Sequence, residues 1–288
     1  MPTISQILTA SSLPRLETEL LLGFVLKKGR EYILTHPETT VSQKAIQQFK
    51  KLEKKRHNNW PLPYLTGNQE FYGLNFKVSP AVLIPRPETE LIPDFLKADL
   101  IKLPENSRPY LLDVGTGSGA IIISATKEIS KLPQLFKRTN FLGLDISAPA
   151  LEIARLNAHQ HQLGKKIKFL QNNLLNKIPT KKFKGRDLFI SANLPYLTPK
   201  QIKGQSSIAR EPRLALDGGA DGLDYYRRLF KQLAILPLRS LLLICEIDPG
   251  QTVRITKLAK ILIPDSQQEI KKDLRQKNRF LIIKKTAR

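Results

Sequence analysis

The sequence predicts an α/β protein: an open, largely parallel sheet with helices packed on it, preceded by a small all-helical N-terminal domain and a β-hairpin linker. Three observations predict it. From Tyr110 onward, short β-prone runs alternate with helical ones, the pattern of βαβ units. Several of those runs end in glycine, carboxylate, amide or aromatic tips, and in open α/β sheets ligands bind at the carboxyl ends of the strands. Ahead of them, residues 3–58 carry helical periodicity alone. A chain of 288 residues is long enough to bury one large or two modest cores.

In the first segment Leu16, Leu20, Leu21, Phe24 and Val25 recur at helical spacing, with Gly29 as the stop. Val41 to Lys55 places Ala45, Ile46, Phe49 and Leu52 on one face, and Lys50, Lys51, Lys54, Lys55 and Arg56 read as a solvated one. Trp60 to Gly67 holds two prolines, which predicts extended backbone and a turn. Phe71 to Val78 then alternates around Gly73-Leu74-Asn75 as a hairpin. These transitions set boundaries at 1–60 for the helical domain, 61–85 for the linker and 86–288 for the α/β domain. In Ile84 to Glu90, Pro87 suits the first position of a helix and Glu88 and Glu90 its positive end, with Pro93 delaying or kinking the helix. Toward the carboxyl end, Lys271 to Arg279 reads as a polar connection leading to a closing strand.

The chemistry is written at the strand ends. Tyr110-Leu111-Leu112-Asp113-Val114 runs into Gly115-Thr116-Gly117-Ser118-Gly119 before a helix, so backbone amides can approach a ligand closely; a dinucleotide site fits the same glycines. Phe141 to Asp145 ends in a carboxylate able to accept both hydroxyls of a ribose. Ile167 to Leu170 leads to Asn173 and Leu174, which can read and cover an adenine, or simply form a turn. Leu188 to Ile190 leads to Asn193-Leu194-Pro195-Tyr196, where Pro195 stiffens the turn. The Asn193 side-chain oxygen and the Leu194 carbonyl can hold the protons of a planar, non-basic NH2 while the Tyr196 ring packs on its plane; that suits methylation of an amide-like nitrogen. A strand-ending turn with a capping Asn is the alternative.

Composition bounds the rest. Apolar content of 41% is that of a folded protein. The lone Cys245, set in a Leu-rich strand pattern, excludes an intramolecular disulfide and reads as a small core residue of a cytoplasmic chain. The four histidines lack ligand spacing and read as surface residues, so no metal is implied. No apolar stretch is long enough for a bilayer, and no signal peptide opens the chain. A net charge of +22 attracts polyanions, although lysines spread along the whole chain and not gathered in one arm favour a general basic bias.

Taken together these residues resemble the S-adenosylmethionine-dependent methyltransferases and, within them, the release-factor glutamine methyltransferases of the PrmC/HemK type. The resemblance runs over nearly the whole chain: Pro63 to Gly67, Ile84 to Glu90, Asp113 to Ala120, Asp145 to Ser147, and the specific block Glu211 to Arg228. It implies a Rossmann-like seven-stranded class I methyltransferase sheet behind a substrate-recognition domain. It also implies S-adenosylmethionine as cofactor, held by Asp113, Gly115, Thr116, Gly117, Ser118, Gly119, Asp145, Asn173, Leu174 and Asn193. The methyl would go to the glutamine amide of the Gly-Gly-Gln motif in class I peptide chain release factors, with Asn193, Leu194, Pro195 and Tyr196 as the catalytic tip and no acid or base assigned. The expected enzyme is a monomer without membrane contact, and nucleic acid is secondary. Two departures stand out: the family has Asn-Pro-Pro-Tyr where Leu194 replaces a proline, and commonly an aspartate at Asn173. Asn-Leu-Pro-Tyr is also similar to the ribosomal RNA adenine dimethyltransferases, which makes RNA the competing substrate; a ribosomal-protein glutamine is another. The glycine-rich loop around Gly218, Gly219 and Gly222, with Asp217, Asp221 and Asp224, reads as flexible and acidic, which suits a phosphate backbone poorly.

Overall fold

Helical periodicity in the first part of the chain resolves into five helices. The computed structural model describes residues 1–286, and the chain divides into two units: residues 1–68 with 206–210, and the remainder.

The first unit is α1 (Ile4–Ala10), α2 (Arg15–Leu26), α3 (Arg30–Thr35), α4 (Gln43–His57) and α5 (Leu62–Thr66). Thr3 and Gln6 close a capping box at the start of α1, satisfying two otherwise orphaned amides. Helix α2 ends at Lys27 in the left-handed region, and Gly29 instead caps the start of α3. Around Pro61 and Pro63 the expected extended segment is the helix α5. Pro61 is its cap and Pro63 its second residue, where an N–H has no intrahelical acceptor to lose. Ile4, Leu21, Leu22, Ile33, Val41, Phe49 and Leu65 form the core. Glu19 is buried beneath it, accepting from Arg15 Nε at 2.7 Å and Arg30 Nε at 2.8 Å, and these two guanidiniums hold its carboxyl below the usual range. Three of the five residues of the expected α2 stripe point outward: Leu16, Leu20 and Phe24 are 51%, 37% and 40% exposed.

Starting at the boundary residue Asn68, β1 (Asn68–Phe71) and β2 (Leu74–Lys77) form the hairpin, and the second unit continues from there. Its turn is Tyr72-Gly73, one step earlier than the sequence suggested, because both residues take positive φ (55° and 67°) as a two-residue hairpin turn demands. A 3-10 turn at Pro87–Glu90 precedes α6 (Leu91–Leu100), so the helix starts late and Pro93 falls in its first turn. The main sheet follows with β3 (Tyr110–Val114), α7 (Ala120–Ser130), α8 (Pro133–Arg138), β4 (Asn140–Asp145), α9 (Ala148–Gln160), β5 (Ile167–Gln171) and β6 (Asp187–Ala192). It continues with α10 (Pro199–Lys203), α11 (Asp224–Ala234), β7 (Ser240–Glu246), α12 (Thr252–Leu262), β8 (Gln267–Lys272) and β9 (Asn278–Thr286). The seven strands run β5-β4-β3-β6-β7-β9-β8; β5 to β7 are parallel, and β9 is antiparallel to both neighbours.

Strand residues alternate between the two faces. Leu112, Ile190 and Leu243 pack with Tyr226 and Phe230 of α11, whereas Leu111, Phe189 and Leu242 pack with Ile92 of α6 and Ile122 of α7. Strand β8, Gln-Gln-Glu-Ile-Lys-Lys, has no counterpart in the sequence reading, and its last two residues fall in the segment expected to be a polar connection. As an edge strand half exposed to water it carries a single aliphatic residue, so it shows no apolar run. Asn157 of α9 is buried and bonds three ways: its Oδ1 accepts from Lys77 N–H (2.7 Å), and its Nδ2 donates to the carbonyls of Lys77 (3.0 Å) and Ser118 (2.9 Å). Among the described residues no helix is long and apolar enough to cross a membrane.

Candidate active site

Parallel register brings the strand tips level. Val114 lies beside Leu144 on one side and Ala192 on the other, so Gly115, Asp145 and Asn193 emerge together at the carboxyl edge. There they line a cleft of about 1030 Å³, its open mouth included.

The glycine loop is tied down before it reaches the cleft. The amides of Gly115 and Thr116 both donate to the Leu144 carbonyl at 2.8 Å, and Gly115 sits at φ 77°, conformationally restricted to glycine in practice. A Cβ there would come within 3.0 Å of Leu194 Cδ2 and 3.8 Å of the Asn193 carbonyl, so the loop and the Asn193 tip are direct neighbours. Asp113 lies beneath the loop and not on the cleft: it is 0% exposed, and its oxygens accept from Thr116 Oγ1 (2.7 Å) and Ser191 Oγ (2.8 Å). Burial pushes its carboxyl up to about 6. Gly119 is likewise away from the cleft, packed where a Cβ would meet Ile123 and Ala154.

Asp145 lines the cleft with one oxygen on the Gly117 amide (2.8 Å) and the other on that of Ser147 (2.9 Å). Each retains lone-pair capacity for a further donor. Burial raises its carboxyl above the usual value, against the pull of those amides. Asn173 and Leu174 line the neighbouring wall with Ile146, and the Asn173 oxygen already accepts from Arg228 Nη2 at 2.6 Å.

At the tip, Asn193, Leu194 and Pro195 line the cleft; Tyr196 stands behind them. The Asn193 Nδ2 donates to Glu246 Oε2 at 3.1 Å, and the Tyr196 hydroxyl donates to Glu246 Oε1 at 3.3 Å. Glu246 ends β7, one step past the paired Ala192 and Cys245, so register alone sets it beside Asn193. The Leu194 amide donates to the hydroxyl of buried Tyr226 (3.3 Å), and Gln251 Nε2 donates to the Tyr196 carbonyl (2.7 Å). No donor among the described residues is bonded to Asn193 Oδ1 or to the Leu194 carbonyl. Both oxygens thus keep their acceptor capacity.

Sequence reading missed Glu246, Thr89 and Tyr226. It also took the later glycines for flexibility. A Cβ on Gly218 would approach the Pro195 carbonyl to 2.6 Å and one on Gly222 the Tyr196 carbonyl to 2.3 Å, so those glycines admit the tip's backbone. The carboxylates of that loop are paired, Asp217 with Arg213 (3.0 Å) and Asp221 and Asp224 with Arg227 (2.8 and 2.7 Å), which removes the acidity expected of it. Arg86 pairs with buried Glu211, whose other oxygen accepts from the Ile84 amide at 3.1 Å.

The chain matches known proteins. Residues 3–67 match the PrmC N-terminal domain and residues 106–234 a methyltransferase domain. The release factor glutamine methyltransferase of Moorella thermoacetica is 38% identical over 244 residues, 84% of this chain and 81% of that protein. That of Coxiella burnetii is 31% identical over 284 residues, 97% of this chain and 95% of its own. Among solved structures the N-terminal domain of human METTL16 in complex with SAH shares the fold, with a TM-score of 0.51 and 15% identity over 93% of this chain and 94% of that one. The chain belongs to the release factor glutamine methyltransferase family.

Proposed function

We propose that this protein transfers a methyl group from S-adenosylmethionine to the side-chain amide nitrogen of the glutamine in the Gly-Gly-Gln motif of class I peptide chain release factors. The observation that carries the reading is the Asn193-Leu194 tip packed directly against the glycine loop, with Asn193 Oδ1 and the Leu194 carbonyl bonded to no donor among the described residues. An amide NH2 is a poor nucleophile because its lone pair is delocalised; two acceptors fix its two protons and so its plane. Leu194 serves as well as a proline because the group used is backbone. Tyr196 holds the turn through its hydroxyl and carbonyl.

The residues present fit the cofactor. Gly115 and Gly117 line the cleft at positive φ and present bare backbone to it, Asp145 keeps acceptor capacity for hydroxyls, and Ile146 and Leu174 offer apolar walls to a planar base. Asn173 faces that base with its oxygen shared with Arg228. When bound, S-adenosylmethionine supplies an electrophilic methyl group on a sulfonium. Asp113 acts from below, bracing Thr116 and Ser191.

The helical unit reads the substrate protein in this proposal, supported by the outward row Leu16, Leu20 and Phe24 on α2. The enzyme acts as a monomer in the cytoplasm, and the basic charge aids encounter with acidic surfaces. Incubation with labelled S-adenosylmethionine and either a class I release factor or ribosomal RNA tests the reading. Label belongs on the factor's glutamine; label on adenine instead would refute it. Asn193→Ala should lower kcat by about a hundredfold or more, the scale of losing a transition-state hydrogen-bonding group, with cofactor affinity nearly unchanged. Equal losses in both would count against the assigned role.

A further inference from the structure

An amide side chain has two ends of nearly equal shape and opposite chemistry, and a half-turn about its last torsion exchanges them. At Asn193 that exchange would put two donors where the substrate's own NH2 must be accepted. We propose that Glu246 is the positioning residue that keeps the Asn193 oxygen, and not its nitrogen, facing the cleft. This rests on the glutamine-methylating reading of the site.

The geometry leaves Asn193 little choice. Glu246 is 2% exposed, and its carboxylate collects donors from three parts of the chain: Asn193 Nδ2 at 3.1 Å, Thr89 Oγ1 at 2.6 Å and the Tyr196 hydroxyl at 3.3 Å. An ionised carboxylate only accepts, so each neighbour must turn a proton toward it. For Asn193 this means Nδ2 inward and Oδ1 outward. Tyr196 is held by the same acid, which also receives the Tyr226 hydroxyl on its main-chain carbonyl. The charged and titratable groups that surround the carboxylate are Arg279, Glu88 and the two tyrosines. Arg279 favours the ionised form, while burial and Glu88 oppose it. Burial raises the carboxyl, so the lock has an acid limit above that of an ordinary glutamate.

The test compares kcat on an intact class I release factor with the Kd for S-adenosylhomocysteine. Glu246→Met keeps the volume and removes the acceptor; it should lower kcat about tenfold to a hundredfold, as for a lost hydrogen bond to a charged group, and leave the Kd within about twofold. In an Asn193→Ala background the same change should add less than about twofold, because residues acting as one unit are not additive. A reciprocal exchange covers the case in which Glu246→Met does not fold. Asn193→Asp alone sets two carboxylates together, whereas Asn193→Asp with Glu246→Gln restores a donor–acceptor pair with an oxygen still facing the cleft. The double variant should exceed Asn193→Asp by about tenfold or more. Wild-type kcat in Glu246→Met, full additivity with Asn193→Ala, or no recovery in the exchange would each overturn the positioning role. Wild-type protein that fails to methylate the glutamine would overturn the reading beneath it instead.

Discussion

Asp113 shows how a single residue's environment can invert its apparent role. The sequence places it at the mouth of a glycine loop, where it reads as a ligand contact, yet the structure turns it inward under two hydroxyls. Its folded value of about 6 lies above the roughly 3.9 of an unfolded aspartate. A raised carboxyl contributes stability below the unfolded value, and that contribution is lost as pH rises through the folded one. Replacing it by Asn removes the titration. The stability of Asp113→Asn relative to wild type should therefore climb between about pH 4 and pH 6, by on the order of 3 kcal/mol, and level off above. Urea titrations of both proteins across that range measure it; a pH-independent difference would show that Asp113 is not protonated on folding.

Elements differ in how openly they declare themselves. Strands β3, β4 and β6 each hold a short apolar run because both faces of the sheet are covered, and their ends carry Gly115, Asp145 and Asn193 within the same few residues. That part of the site was legible because tip and strand are local in sequence. Glu246 and Thr89 were not, since they meet Asn193 across 53 and 104 residues through register and loop path, which no local pattern encodes. Edge strand β8 escaped for the opposite reason, lacking apolar periodicity altogether. Helix α2 was half legible: its repeat marked a helix, but could not say that Leu16, Leu20 and Phe24 would face water. If that row meets the substrate protein, Phe24→Asp should raise KM for an intact release factor by about tenfold, as for a modest interface residue, with no change on a short Gly-Gly-Gln peptide. Loss on both substrates would place its effect elsewhere.

For the molecule as a whole, the excess of 47 basic over 25 acidic residues governs encounter more than fold. Cohesion comes from the sheet, and Cys245 reports on it. The thiol is 0% exposed in β7 between two paired neighbours, and burial drives its pKa far upward. A disulfide reagent should label it only as fast as that strand opens, so the labelling rate should rise steeply with denaturant, tracking unfolding. Rapid labelling in native buffer would mean the sheet breathes locally. Seven strands were expected from the family resemblance and seven are found, while the order that seats β9 between β7 and β8 lies beyond any single segment's composition.

The clasp at Asn157 has a mechanical consequence. One carboxamide answers both main-chain groups of Lys77 and, in the same grip, the carbonyl of Ser118, tying the end of the hairpin directly to the glycine turn. Whatever displaces the end of β2 therefore strains the same carboxamide that holds that turn.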